Sequence, residues 1–159
     1  MGFALSDLQL TSTAFSNGGP IPPEYTGVGA DTSPQVSWAN APAGTKAFAV
    51  ICHDPDAPLV SPGGTYGFVH WVLYNIPGSV TEIAGGSMEF TKGKNDFGNA
   101  GYGGPMPPVG HGTHHYFFWV LALDRQLDLE EGLTLWQLLA RVEPNLIGMN
   151  RLVGTFERV

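Results

Sequence analysis

The sequence predicts one domain, residues 1–159, built mainly from β-strands with one or two peripheral α-helices. Its 22 glycines and 13 prolines follow no collagen-like period and therefore indicate many turns. Several apolar runs are rich in aromatic and β-branched residues, which favour strands. These runs alternate with Gly/Pro punctuation along the whole chain, without a linker that would separate a second domain. With 43% hydrophobic and 13% charged residues, the chain can bury a core.

The predicted strands follow a loop-rich stretch of about forty residues, which Gly and Pro interrupt repeatedly. Residues 47–52 are apolar on both faces, as expected of a central buried strand. Residues 68–74 and His114–Leu123 are rich in aromatic and β-branched side chains. Residues 152–156 are a candidate closing strand. The β-class prediction rests on these segments.

One helix is predicted before the closing strand. Its apolar face has the spacing i, i+3, i+4, i+7 and consists of Leu135, Leu138, Leu139 and Val142. Thr134 and Gln137 form a capping-box pattern that would start the helix, and Pro144 would end it. We expect this helix to pack on the core.

Charge and cysteine content restrict the partners and the compartment. Seven Lys+Arg against 14 Asp+Glu give a net charge of −7, which predicts no nucleic-acid partner and no stable membrane association. The single cysteine, Cys52, excludes an internal disulfide and lies in an apolar run, where a buried thiol is expected. The first residues lack the basic start and apolar stretch of a secretory signal, so we expect a cytoplasmic protein.

A turn rich in Asp and Pro follows the predicted central strand. Two prolines hold Asp54 and Asp56 in this turn, which continues through Ala57 and Pro58. The carboxylates either contribute to a site or only cap the turn through local side-chain bonds. For Asp56 the two interpretations apply equally. Asp54 is nearer the end of the strand and is therefore the better candidate for a site.

A histidine lies within the next predicted strand. Strict period-two alternation places His70 on one face with Phe68, Val72 and Tyr74. A single histidine in a strand is more often a core residue than a ligand. By itself, this residue does not indicate a site.

A Gly/Pro loop, residues 101–113, runs directly into the strand that begins at His114. Glycines allow backbone N–H groups to approach a bound anion closely. His114 and Tyr116 are two residues apart and share a face, so both can line one pocket, whereas His115 points to the other side. A purely structural loop and an aromatic strand would have the same composition.

Common catalytic and metal motifs are missing from the sequence. It contains no Walker A motif, no Gly-x-Ser-x-Gly, no Cys-x-x-Cys and no His-Glu-x-x-His. The spacing of the candidate metal ligands matches no strong signature; these candidates are His53, Asp54, Asp56, His70, His111 and His114. We therefore expect no metal and no cofactor.

The Asp-Pro-Asp-Ala-Pro turn, the histidine strand and the Gly/Pro loop ending in His-x-Tyr resemble the phosphatidylethanolamine-binding (Raf-kinase-inhibitor-like) protein family, in its bacterial and archaeal branch. The resemblance implies a large antiparallel sheet packed with a smaller one. It also implies a small pocket for phosphate-like anions or phospholipid head groups. Its ligand-binding residues would be Asp54, Asp56, Ala57, Pro58, His70, Gly104, Pro107, His114 and Tyr116.

The resemblance implies a binding protein and not an enzyme, with a regulatory or inhibitory role toward an unidentified protein partner as a further expectation. Microbial relatives are commonly dimers, so a homodimer is expected. One alternative is a phosphate-ester hydrolase in which His70 or His114 acts as general acid or base, although no strong nucleophile accompanies them. Another is a structural partner protein whose pocket is vestigial.

The predicted pocket also carries an electrostatic expectation. A carboxylate close to a histidine favours the imidazolium form, so we expect Asp54 to raise the pKa of His70 and His114. Anion affinity should then strengthen as the pH falls from about 8 to about 6.

Overall fold

The computed structural model describes residues 6–57 and 67–159. The described strands are β1 (Gln9–Thr11), β2 (Val36–Ala39), β3 (Ala47–Asp54), β4 (Phe68–Pro77), β5 (Glu82–Ile83), β6 (Thr91–Lys92), β7 (His114–Leu123) and β8 (Leu146–Phe156). One α-helix, α1 (Leu135–Val142), precedes β8, and short 3₁₀ turns lie at Pro23–Tyr25 and Glu143–Asn145.

The strands form two antiparallel sheets. The larger sheet has five strands in the order β6-β4-β3-β7-β8, and the smaller has three in the order β1-β2-β5. The predicted mainly β fold, with a large sheet, a smaller sheet and a peripheral helix, is confirmed. As predicted, β3 is central, with β4 on one side and β7 on the other.

The core lies on both faces of the larger sheet. One face packs against the smaller sheet, where Phe48 and Phe118 belong to the same cluster as Trp38. The other face packs under α1, where Leu138 joins Leu121. Because β3 is buried from both sides, its side chains are apolar without alternation, which explains the run seen in the sequence.

Helix α1 begins with the predicted capping box. The Thr134 hydroxyl accepts from the Gln137 N–H at 3.3 Å, and the Gln137 side chain accepts from the Thr134 N–H at 3.0 Å. The helix ends at Val142, and the 3₁₀ turn that follows contains Pro144. None of the helices in the described part of the chain is long and apolar enough to cross a membrane.

The strand boundaries differ from prediction where polar residues extend a strand. The bounds of β7 agree, but β3 continues to Asp54 and β8 begins at Leu146 rather than at residue 152. The first half of β8 carries polar side chains and a glycine, so hydrophobicity does not mark it. Its pairing with β7, from His114 opposite Phe156 to Leu123 opposite Leu146, creates the strand.

A β-bulge lies in β4. Cys52 pairs with Trp71 and His53 pairs with Val69, so His70 is an extra residue opposite β3. A bulge breaks the two-residue alternation of side chains and bends the strand. Here it changes the side of the sheet on which the histidine lies.

The predicted shared face of His70, Val72 and Tyr74 is wrong for this reason. Val72 and Tyr74 pack in the cluster beneath α1, whereas the ring of His70 lies 5.2 Å from that of Tyr116, which belongs to the opposite cluster. The predicted pairing of His70 with Phe68 is confirmed, with ring centroids 4.8 Å apart. The bulge thus brings His70 beside the side chains of β7.

Candidate functional site

A cavity of about 180 Å³ lies at one end of the larger sheet. Because neighbouring strands are antiparallel, β3 ends at this edge with Asp54 where β4 begins at Phe68 and β7 begins at His114. The cavity is lined by Asp54, Ala57, Phe68, His70, Phe97, Met106, Pro107, Pro108, His114 and Tyr116. Residues of three strands and of separate loops therefore converge on one small space.

Most of the predicted site residues lie together in this lining: Asp54, Ala57, His70, Pro107, His114 and Tyr116. Pro58 lies outside the described residues. Gly104 and Asp56 are described but do not belong to the lining.

Gly104 and Asp56 instead have hydrogen-bond partners outside the lining. The Gly104 N–H donates to Oδ1 of Asp31 at 2.7 Å, so this N–H holds the loop in place. Oδ2 of Asp56 accepts from the backbone N–H and from Nδ1 of His115, at 2.8 and 2.7 Å. Asp56 is held by a residue that points away from the cavity side of β7.

Four further residues line the cavity without having been predicted from the sequence: Phe68, Phe97, Met106 and Pro108. Phe68 had a usable signal, since it lies two residues before His70 on the same strand. Phe97 comes from the loop after β6, and its ring packs edge-on against Phe68 with centroids 4.7 Å apart. No periodicity marks such a loop residue, so only the folded chain places it here.

Asp54 organises the floor of the cavity. It is 2% exposed; its Oδ1 accepts from the Asp56 N–H at 2.8 Å, and its Oδ2 accepts from Nδ1 of His114 at 2.7 Å. The two interpretations of this carboxylate therefore coexist, because it caps its own turn and also orients a histidine. A buried carboxylate needs such bonds to offset its lost hydration.

Both ring nitrogens of His114 are engaged. Since the Asp54 carboxylate only accepts, Nδ1 of His114 donates, and Nε2 of the neutral ring is an acceptor. Nδ1 of His111 lies 2.7 Å from this Nε2 and completes a chain from Asp54 through His114 to His111. His111 itself is exposed, whereas His114 is 2% exposed.

His70 presents one nitrogen without a described hydrogen bond. Its Nδ1 donates to the carbonyl of Gly103 at 2.6 Å, which leaves Nε2 to face other groups. Burial lowers the pKa of His70 and outweighs the opposing effects of the Gly103 bond and the Asp54 charge. The expected rise in the pKa of this histidine is therefore wrong in sign, because desolvation of the imidazolium dominates.

Tyr116 carries an unsatisfied hydroxyl. The residue is fully buried, lines the cavity, and its hydroxyl has no hydrogen-bond partner among the described residues. Burial raises the pKa of this phenol, so it stays protonated and can donate. Buried polar groups in native proteins are nearly always paired, so an orphan donor in a cavity points to a ligand acceptor.

The mouth of the cavity is apolar. Phe97 and Met106 in the lining are 45% and 42% exposed. Among the described lining residues there is no lysine or arginine, and Arg158 instead donates to the carbonyl of Pro107 at 3.1 Å. The described residues also contain no group of three or more His, Cys, Asp or Glu placed to hold a metal ion.

Comparison with known proteins identifies relatives across nearly the whole chain. The family model described as phosphatidylethanolamine-binding protein matches residues 11–157. A UPF0098 protein of Aquifex aeolicus is 39% identical over 161 residues, covering 95% of this chain and 89% of the relative. The crystal structure of CT736 from Chlamydia trachomatis, described as a phosphatidylethanolamine-binding protein homologue, has a TM-score of 0.86 at 37% identity and covers 96% of this chain and 98% of its own. The crystal structure of YbcL from E. coli, described as a new member of the mammalian PEBP family, has a TM-score of 0.86 at 31% identity. The match covers 97% of this chain and 100% of the YbcL chain.

Proposed function

The chain belongs to the phosphatidylethanolamine-binding protein family, and we propose that its cavity binds phosphate-like anions or phosphorylated head groups. The observation that carries this proposal is the buried Tyr116 hydroxyl, an unpartnered donor in the cavity. An oxyanion supplies the acceptor that this hydroxyl lacks, and hydrogen bonds to charged acceptors are stronger than those between neutral groups.

His70 supplies the second contact. When the ring is protonated, Nε2 becomes a donor while Nδ1 keeps its bond to Gly103. When the ring is neutral, Nε2 can only accept, which suits a ligand oxygen that carries a proton. In both cases the complex carries one proton that a neutral His70 ring and a fully ionised ligand would lack, either on the ring or on the ligand. The size of the cavity, about 180 Å³, suits a head group rather than a large molecule.

We further propose that the protein binds its ligand without transforming it. Among the described lining residues there is no serine, cysteine or lysine that could act as a nucleophile. The Asp54–His114 pair is the one feature that favours the alternative, a phosphate-ester hydrolase, because a carboxylate that orients a histidine is a common acid–base arrangement. Turnover of a generic phosphomonoester that is lost in His114→Ala would favour this alternative.

Our proposal extends to the compartment and the partners of the protein. We propose a cytoplasmic protein with no nucleic-acid partner and no stable membrane association, from its net charge of −7 and its buried free Cys52. We also propose a homodimer and a regulatory or inhibitory role toward an unidentified protein partner, and family membership is what supports both. A vestigial pocket would show no binding in an anion titration.

Calorimetric titration with sulfate tests the proposed site through its pH dependence. Burial lowers the pKa of His70, so the ring is neutral near pH 7 and gains its proton only below the ordinary histidine range of about 6.5. Sulfate keeps its charge in this range, so its affinity should rise as the pH falls below about 6.5, not between 8 and 6. Binding should take up a proton, visible as different heats in buffers of different ionisation enthalpy.

The sign of this effect is fixed by linkage. In the unliganded protein the pKa of His70 is lower than in the unfolded chain, so the unfolded chain gains its proton first as the pH falls. The free energy of unfolding therefore decreases as the pH drops through the pKa of histidine in the unfolded chain. A bound dianion opposes this loss. His70→Asn is the matched control, because its amide can still donate to Gly103 but does not titrate. Equal proton uptake in this variant, or an affinity independent of pH in the wild type, would contradict the assignment.

A further inference from the structure

We propose that His111 is an internal competitor of the ligand, occupying the nitrogen of His114 that a bound anion would otherwise use. Nothing in the sequence patterns assigned a role to this exposed histidine beyond a rejected metal site. The proposal rests on the proposed anion-binding function and adds a residue that limits its affinity. The observation that supports it does not involve Tyr116: Nδ1 of His111 lies 2.7 Å from Nε2 of His114.

Only one nitrogen of His114 can be given up to a ligand. Nδ1 donates to Asp54 at 2.7 Å, and the two side chains are 2% and 3% exposed, so breaking that bond would leave a buried carboxylate unsatisfied. The bond from Nε2 leads instead to a residue at the surface, where water can replace the lost partner. A ligand oxygen that contacts His114 must therefore displace His111.

The backbone around His111 permits that displacement. Gly110 and Gly112 on either side have φ values of +73° and +90°, in the region that favours glycine. No heavy atom lies within 4 Å of the position that a Cβ would take at either glycine, so neither glycine packs against a neighbouring segment. Rotation of its exposed side chain is sufficient to free Nε2 of His114.

Release of His111 changes what His114 can offer. Its Nδ1 keeps the bond to Asp54, and the freed Nε2 can accept from a ligand oxygen that carries a proton, such as the P–OH of hydrogen phosphate. The ligand would thus gain a contact to His114 in addition to its contacts with Tyr116 and His70. Asp56 and His115 bond to each other, and Arg158 donates to the carbonyl of Pro107.

The test is the binding of inorganic phosphate, which carries a P–OH at pH 7, by His111→Ala compared with the wild-type chain. Removing the competitor should tighten binding about two- to tenfold, the range covered by one net hydrogen bond. His111→Asn should restore affinity close to that of the wild type, because an asparagine amide can donate to Nε2 from nearly the position of Nδ1. Val109→Ala, an exposed change in the same loop, should leave affinity unchanged.

The outcomes separate this proposal from the one on which it rests. Phosphate binding by the wild type that depends on Tyr116 but is unchanged or weaker in His111→Ala would overturn the competitor role and leave the site intact. No binding by any of the chains would overturn the site itself. Tighter binding in both His111→Ala and His111→Asn would also overturn the proposal, because a restored donor should restore competition.

Discussion

Tyr116→Phe is expected to weaken the binding of inorganic phosphate about ten- to a hundredfold, since a hydrogen bond to a charged group contributes about 1.5–3 kcal/mol. The same substitution should not lower the free energy of unfolding. The hydroxyl is buried without a partner in the described part of the chain, so its removal relieves an unsatisfied donor. Loss of binding together with unchanged or increased stability is the signature of a residue kept for its ligand.

Tyr102→Phe is the matched control for this substitution. The Tyr102 hydroxyl donates to the carbonyl of Tyr25 at 2.6 Å and does not line the cavity. Its removal should therefore lower stability by about 1 kcal/mol and leave phosphate affinity unchanged. The reverse pattern, with Tyr116→Phe destabilising the fold and not affecting affinity, would show that Tyr116 is a structural residue only. Isothermal calorimetry and urea unfolding measure the two quantities.

Asp54→Ala is expected to cost about 3 kcal/mol or more of unfolding free energy at pH 7. The carboxylate is buried and holds the Asp56 N–H and Nδ1 of His114, so both donors lose their partner at once. For a chain of this length, that loss corresponds to a fall of about 6–12 °C in Tm. Phosphate affinity should also fall, because His114 loses the bond that orients its ring.

Asp56→Ala separates this effect from a general loss of acidic charge. Asp56 forms an exposed pair with His115, and such pairs contribute about 1 kcal/mol or less. Its Tm should fall by about 4 °C at most, with little change in affinity. Equal destabilisation by the two substitutions would mean that the buried network through Asp54 is not what holds this end of the sheet together. Scanning calorimetry of both variants makes the comparison.

The elements that the sequence predicted best are those with a local physical signal. The capping box at Thr134 and the limits of β7 depend on neighbouring residues, and both are observed. The site residues that the family motifs indicated converge because β3, β4 and β7 are adjacent and antiparallel. Their role in binding a ligand stays a prediction.

The structure differs from the sequence-based predictions where contacts between distant parts of the chain decide the outcome. The bulge at His70 depends on pairing with β3, so strict alternation placed this residue on the wrong face. Phe97 reaches the cavity from a separate loop. The pKa of His70 depends on how completely the fold removes water from the ring, which a neighbouring carboxylate in the sequence does not reveal.

An NMR titration of the labelled protein with inorganic phosphate is the most direct test of whether phosphate binds between Tyr116 and His70. We predict that the side-chain signals of Tyr116, His70 and His114 shift together with a single dissociation constant, because the three residues line one cavity. His115, which points away from that cavity side, should shift little. Shifts confined to surface residues remote from these three side chains would contradict the account.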